Sequence, residues 1–147
     1  MKRLLVLAGA AVADAEELPG SVREAIDAAD EVFVVTPTLP TRLEWLVSDT
    51  DRARHEADAR LDTVLGQLHS EGVEAEGVTG DETPKTAIED HVRAFQPDHM
   101  LIALRSSEHA AWQERGLLAH AADTFGVPMT VFEIDADGRV VGTSPEG

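Results

Sequence analysis

The stretch Asp98–Ile134, DHMLIALRSSEHAAWQERGLLAHAADTFGVPMTVFEI, decides the fold. Met100 to Leu104 is an unbroken apolar run that stops at a charged and hydroxylic turn, Arg105-Ser106-Ser107. A long Ala- and Leu-rich segment follows and closes at Phe125-Gly126. Val127-Pro128 then opens a second β-prone run. Strand, loop, helix and strand in that order make a βαβ unit, with its loop where parallel sheets bind ligands.

The same pattern recurs upstream. Leu4 to Ala8 is continuously apolar, as a strand covered on both faces reads, and the small residues Gly9-Ala10-Ala11 suit a tight turn or a close ligand approach. Val22, Ala25, Ile26 and Ala29 form a helical stripe that starts around Glu16 to Ser21 and ends at Asp30-Glu31. Val32 to Val35 is a second buried strand, and Thr36-Pro37-Thr38-Leu39-Pro40 is a loop, because each Pro pushes its predecessor out of the helical region. A long helix capped at Asp49 or Thr50 runs to about Ser70 and stops at Gly72. Ala57, Leu61, Val64, Leu65 and Leu68 are its inward stripe; Arg54, Glu56, Asp58 and Arg60 its wet face. Val73 to Val78 alternates apolar and acidic residues, as an edge strand does. Thr83-Pro84 starts a helix whose core face is Ala87, Ile88, Val92 and Phe95, and Gln96-Pro97 ends it. Beyond Ile134, Asp137-Gly138 is a two-residue hairpin signal that returns Arg139 to Val141 as an antiparallel strand. Residues 143–147 read as a frayed tail. The expectation is one α/β domain over residues 1–147: an open, mostly parallel, five-stranded Rossmann-like sheet with helices on both faces and an added C-terminal antiparallel strand.

Composition narrows the function. The chain has 147 residues, enough to bury roughly 70% of its unfolded surface. It has no Cys, which removes disulfides, thiol nucleophiles and thiolate metal sites. The net charge of −16 argues against nucleic acids and anionic membranes as partners. The opening MKRLLVLAGAAVADAEE superficially resembles a signal peptide, but its apolar run is short and passes straight into acidic residues, so it reads as a buried first strand. No segment approaches the ~20 apolar residues of a membrane span. The expected compartment is the cytoplasm.

Catalytic signals are sparse. Neither a Walker lysine motif, a Gly-x-Gly-x-x-Gly run nor a Gly-x-Ser-x-Gly elbow occurs. The six His residues have no metal-ligand spacing, and His55 and His69 are too far apart on one helix to share an ion. His91 reads as a boundary residue and His99 as an interior or dimer-facing group. Acid pairs such as Glu89-Asp90 read as solvated helix ends. Trp45 and Trp112 fall near the ligand edge, where they can stack on a base or anchor a loop. Arg105-Ser106-Ser107 is the one constellation with the chemistry of an anion site, supplying a guanidinium, two hydroxyls and a helix N-terminus; the same residues also suit a helix cap beside a surface Arg.

Several pieces in order resemble the universal stress protein family. These are the N-terminal strand, the long helix after the second strand, Gly80-Asp81 ahead of Ala87-Ile88, the run Pro97-Asp98-His99-Met100-Leu101-Ile102, and Phe125-Gly126-Val127-Pro128-Met129-Thr130-Val131. Trp112-Gln113-Glu114-Arg115-Gly116 is similar to an element of a divergent subgroup. The resemblance spans nearly the whole chain. It implies an adenine nucleotide alpha hydrolase-like fold with strand order 3-2-1-4-5, a homodimer formed through the last strand, and a site for ATP or AMP. Nucleotide-binding members end the first strand with Asp, where this chain has Gly9. They also follow the fourth strand with a glycine loop, whose first two glycine places are here Arg105 and Glu108 and whose third falls near Leu118, with Gly116 out of register. Side chains at those places keep the backbone from closing on phosphates. The leading expectation is therefore a non-enzymatic regulatory or stress-related domain with a degenerate ATP site and a protein partner. The alternative is a nucleotide or small-anion sensor built from Gly9, Thr36, Pro37, Leu104, Arg105, Ser106, Ser107 and Arg115. A nucleotide-hydrolysing enzyme ranks last.

Overall fold

The computed structural model describes residues 2–13, 18–36, 50–80, 84–105, 126–135 and 137–146. Their elements are β1 (Arg3–Ala8), α1 (Gly20–Ala28), β2 (Glu31–Thr36), α2 (Thr50–Ser70), β3 (Ala75–Thr79), α3 (Pro84–Phe95), β4 (His99–Arg105), β5 (Met129–Ile134) and β6 (Val140–Glu146). One sheet holds all six strands in the order β3-β2-β1-β4-β5-β6. The first five are parallel and β6 is antiparallel to β5. The order 3-2-1-4-5 is the one anticipated, and the sheet reverses direction of growth between β1 and β4.

The apolar runs are continuous because both faces of the central strands are covered. On one face Leu4, Val6 and Ala8 of β1 join Val32, Val34, Leu101, Ala103, Phe132 and Ile134 under Val22 and Ile26 of α1 and Leu68 of α2. On the other, Leu5 and Leu7 join Val35, Met100, Ile102, Leu104, Met129 and Val131 against Val92 and Phe95 of α3. Each fully buried Leu or Ile of this set contributes about 1.5–3 kcal/mol relative to exposure. Among the described residues no helix is long and apolar enough to cross a membrane.

Two aspartates fasten the start of β1. Asp30 accepts the Lys2 amide at 2.7 Å, and Asp98 accepts the Arg3 amide at 2.9 Å. Their own amides return hydrogen bonds to the Lys2 and Arg3 carbonyls. The Arg3 guanidinium donates to the Phe95 carbonyl at 3.0 Å and lies over the Phe95 ring. The far end of α2 closes as the sequence indicates: Gly72 donates to the His69 carbonyl and Val73 to Leu68, while Val73 packs on the core that Leu68 belongs to.

Two expectations need correction. Residues 143–146 are not frayed, since β6 pairs with β5 as far as Met129 opposite Glu146. Strand β5 has both edges occupied, by β4 and by β6 of its own chain. The hairpin also closes one residue earlier than a two-residue Asp137-Gly138 turn would. Asp135 is the organiser: its carboxylate accepts the amides of Asp137 and Arg139, both at 2.9 Å.

At the opposite edge, Gly77 of β3 passes directly beneath α2. A Cβ there would sit 2.6 Å from the Val34 carbonyl oxygen and 2.6 Å from the Leu61 methyl. Gly77→Ala should therefore destabilise the protein by about 1–3 kcal/mol, the usual cost of overpacking; urea denaturation of the two proteins measures it.

Candidate functional site

Four of the proposed ligand residues do gather at the carboxyl ends of three adjacent strands. Thr36 ends β2, Gly9 follows β1, and Leu104 and Arg105 end β4; the register pairs Ala8 with Ala103 and Leu7 with Val35. Their functional atoms, however, do not converge. Leu104 is fully buried in the α3-side core. Arg105 is exposed. The Thr36 hydroxyl is completely buried and is the one buried side-chain polar atom without a hydrogen bond among the described residues. The Gly9 amide donates to the Ala103 carbonyl at 2.7 Å, so the β1–β4 ladder continues one residue past the strands. Pro37, Ser106, Ser107 and Arg115 lie outside the described residues, as do Trp45, Trp112, Glu108 and His109.

After Gly9 the chain crosses β4 toward the β5–β6 turn. There Ala13 donates to the Gly138 carbonyl at 2.9 Å. Gly138 fits because it has φ +81° and because a Cβ would collide with Ala13 at 2.6 Å. Ala10 and Val12 are buried along this crossing. Residues 10–13 thus run from the end of β1 to the β5–β6 turn beside the strand ends, on the face where Ala10 and Val12 join the α1–α2 core.

Helix α2 braces that crossing with two side chains. Arg60 donates through Nε to the Ala8 carbonyl at 2.8 Å, and Gln67 donates through Nε2 to the Val12 carbonyl at 2.7 Å. They are seven residues apart, two helical turns, and so share one face. The expectation that Arg60 belongs to the wet face is wrong: its guanidinium reaches back over the sheet to a carbonyl that the β1 ladder leaves open. Asp58 keeps to the outer side, where it accepts a hydrogen bond from the Thr79 hydroxyl.

Beneath the crossing is a cavity of about 140 Å³ on the α1–α2 face. Its floor is made by the paired alanines Ala8 and Ala103, with Val6 and Leu101 behind them and Phe132 and Ile134 beyond. The only polar side chains on it among the described residues are Arg23 and Asp27 of α1 and Gln67 and Glu71 of α2. Sequence reading did not anticipate it, because it depends on two alanines 95 positions apart in the chain, Ala8 and Ala103, falling opposite one another; the sole signal is an Ala at the fifth place of both LLVLA and HMLIA.

Two histidines are half-buried titratable groups. His99 contacts the Thr130 hydroxyl at 3.1 Å, and burial lowers its pKa. His91 lies against the Phe33 ring; burial lowers its pKa and the nearby Asp90 partly offsets this. Among the described residues no three His, Asp or Glu side chains gather in a way that could hold a metal ion. Comparison with known proteins gives no further guide, since neither a family model nor a curated protein matches this chain.

Two outcomes follow from this geometry. Arg60→Met should cost about 1–3 kcal/mol by leaving the Ala8 carbonyl without its charged donor, and amide exchange should rise at Val12 and Ala13 while β3 stays protected. For His99, a folded pKa below the ordinary value of about 6.5 means the unfolded chain takes up the proton first. Stability contributed by the neutral imidazole is then full above that value and lost as pH falls through it toward the folded pKa. Denaturation midpoints of wild type and His99→Gln, compared from neutral to mildly acidic pH, should show wild type losing ground relative to the variant; a constant difference would contradict the burial effect.

Proposed function

We propose that this chain is a universal-stress-protein-like, non-enzymatic domain with a regulatory or stress-related role, acting through contacts with other proteins, in which the nucleotide site is lost. The observation that carries the reading is the hydrogen bond from the Gly9 amide to the Ala103 carbonyl, with the chain beyond it running to Gly138. A phosphate group held at the strand ends requires backbone N–H groups that point at the ligand. Here the donor at the end of β1 is spent on β4. Arg105 and Glu108 also stand where the family's phosphate loop has glycines, and Glu108 adds a charge that repels phosphate. The strand order supports the family-like fold, which is separate from any activity.

Titration calorimetry of nucleotide-free protein with ATP and with AMP tests this. No saturable heat is expected, and micromolar binding of either nucleotide would overturn it. The small-anion alternative is tested in the same instrument with inorganic phosphate: if Arg105 holds an anion, Arg105→Ala should weaken binding by about 1.5–3 kcal/mol, whereas the proposed reading expects no binding to weaken.

A further inference from the structure

The cavity under the β1–α1 crossing is separate from the strand-end crevice, and its chemistry is of another kind. Its floor and walls are hydrocarbon: Ala8 and Ala103 below, Val22 and Ile26 on α1, Leu68 on α2, and Phe132 at the far side. The hollow exists because Ala8 and Ala103 are direct neighbours across the β1–β4 ladder, each buried and each too short to reach the helices above. The amide of Gln67 donates to the Val12 carbonyl. The hydrocarbon floor itself offers water no side-chain partners, and an apolar surface of that kind is a poor site for water. Interiors are normally packed without such voids, and one larger side chain at either alanine would remove this one. Helix α1 approaches the sheet less closely than α2 approaches β2 and β3, which leaves the hollow open at the α1–α2 seam.

That seam carries a charge pattern of its own. Arg23 and Asp27 stand on successive turns of α1, and Gln67 and Glu71 on successive turns of α2. Two carboxylates against one guanidinium leave the mouth acidic, in a chain whose net charge is −16. An anionic head group there would be repelled by the mouth and by the overall field.

We infer that this cavity is a binding site for a compact, uncharged organic molecule: an apolar body of about six to eight carbons seated on Ala8 and Ala103, with at most one hydrogen-bonding group at the α1–α2 seam. In general, dry apolar cavities of roughly 150 Å³ accept benzene, and the volume here is about 140 Å³. The inference does not rest on the loss of the nucleotide site and stands or falls separately from it.

The test uses the full chain, isotope-labelled for amide NMR, with benzyl alcohol and benzoate as probes of similar size and different charge. Benzyl alcohol should give saturable shifts centred on Val22, Ile26, Ala103 and Phe132, and benzoate should bind more weakly. Ala103→Leu should fill the hollow, raise Tm and abolish the shifts; Ala8→Val serves the same purpose if the first variant does not fold. Ala94→Leu, on the exposed side of α3, should bind as wild type does. The inference is overturned by the absence of saturable shifts up to the solubility of benzyl alcohol, by unchanged binding in the filled variant, or by benzoate binding as tightly as the alcohol.

Discussion

Strand β1 is held from every direction, and the rest of the domain is arranged around that fact. It is hydrogen-bonded to β2 on one side and β4 on the other, and its residues from Leu4 to Ala8 are buried on both faces. Its amino end is tied by reciprocal backbone and carboxylate hydrogen bonds to Asp30 and Asp98, the residues just before β2 and β4. Its carboxyl end is tied by Gly9 to β4 and by Arg60 to α2. A segment with no free edge and no wet face specifies its register strongly, and it transmits that register to both halves of the sheet.

The same restraints shape the upper edge of the molecule. In an open α/β sheet the two connections leaving the strands on either side of the reversal diverge, and a crevice forms between them. Here the connection after β1 does not turn directly into α1. It first crosses β4, buries Ala10 and Val12, and meets the β5–β6 turn at Gly138 before returning to α1. This path leaves the crossing as a roof over part of the α1–α2 face. The small side chains of Ala8 and Ala103 fall short of that roof, and the cavity is what remains. The early Gly9–Ala103 contact and the apolar hollow therefore share a single cause in the path of residues 9–13.

Much of this architecture could be read from residues alone. Runs such as LLVLA, VFVV and MLIAL have no polar interruption and could only be strands covered twice; Gly72 and Gln96-Pro97 mark helix ends by their local chemistry. Gly9 reads as suiting a tight turn or a close approach; in the structure its amide continues the ladder to the Ala103 carbonyl. Other features were hidden because they depend on partners distant in the chain. Arg60 sits among charged neighbours that suggest solvent, and only the position of the Ala8 carbonyl draws it inward. Residues 143–147 read as a frayed tail, yet β5 supplies the ladder that keeps 143–146 extended. The orphan hydroxyl of Thr36 and the cavity beside Ala8 follow from burial and register, neither of which a linear pattern displays.

By folding β6 back onto β5, the chain terminates its own sheet. Any second molecule that sought to lengthen the sheet on this side would meet β6, where the ladder is irregular between Glu133 and Ile134 and where Pro145 has no amide hydrogen to offer. The opposite border, β3, is five residues long and alternates in exposure. Both margins of the sheet are thus ill-suited to templating foreign strands.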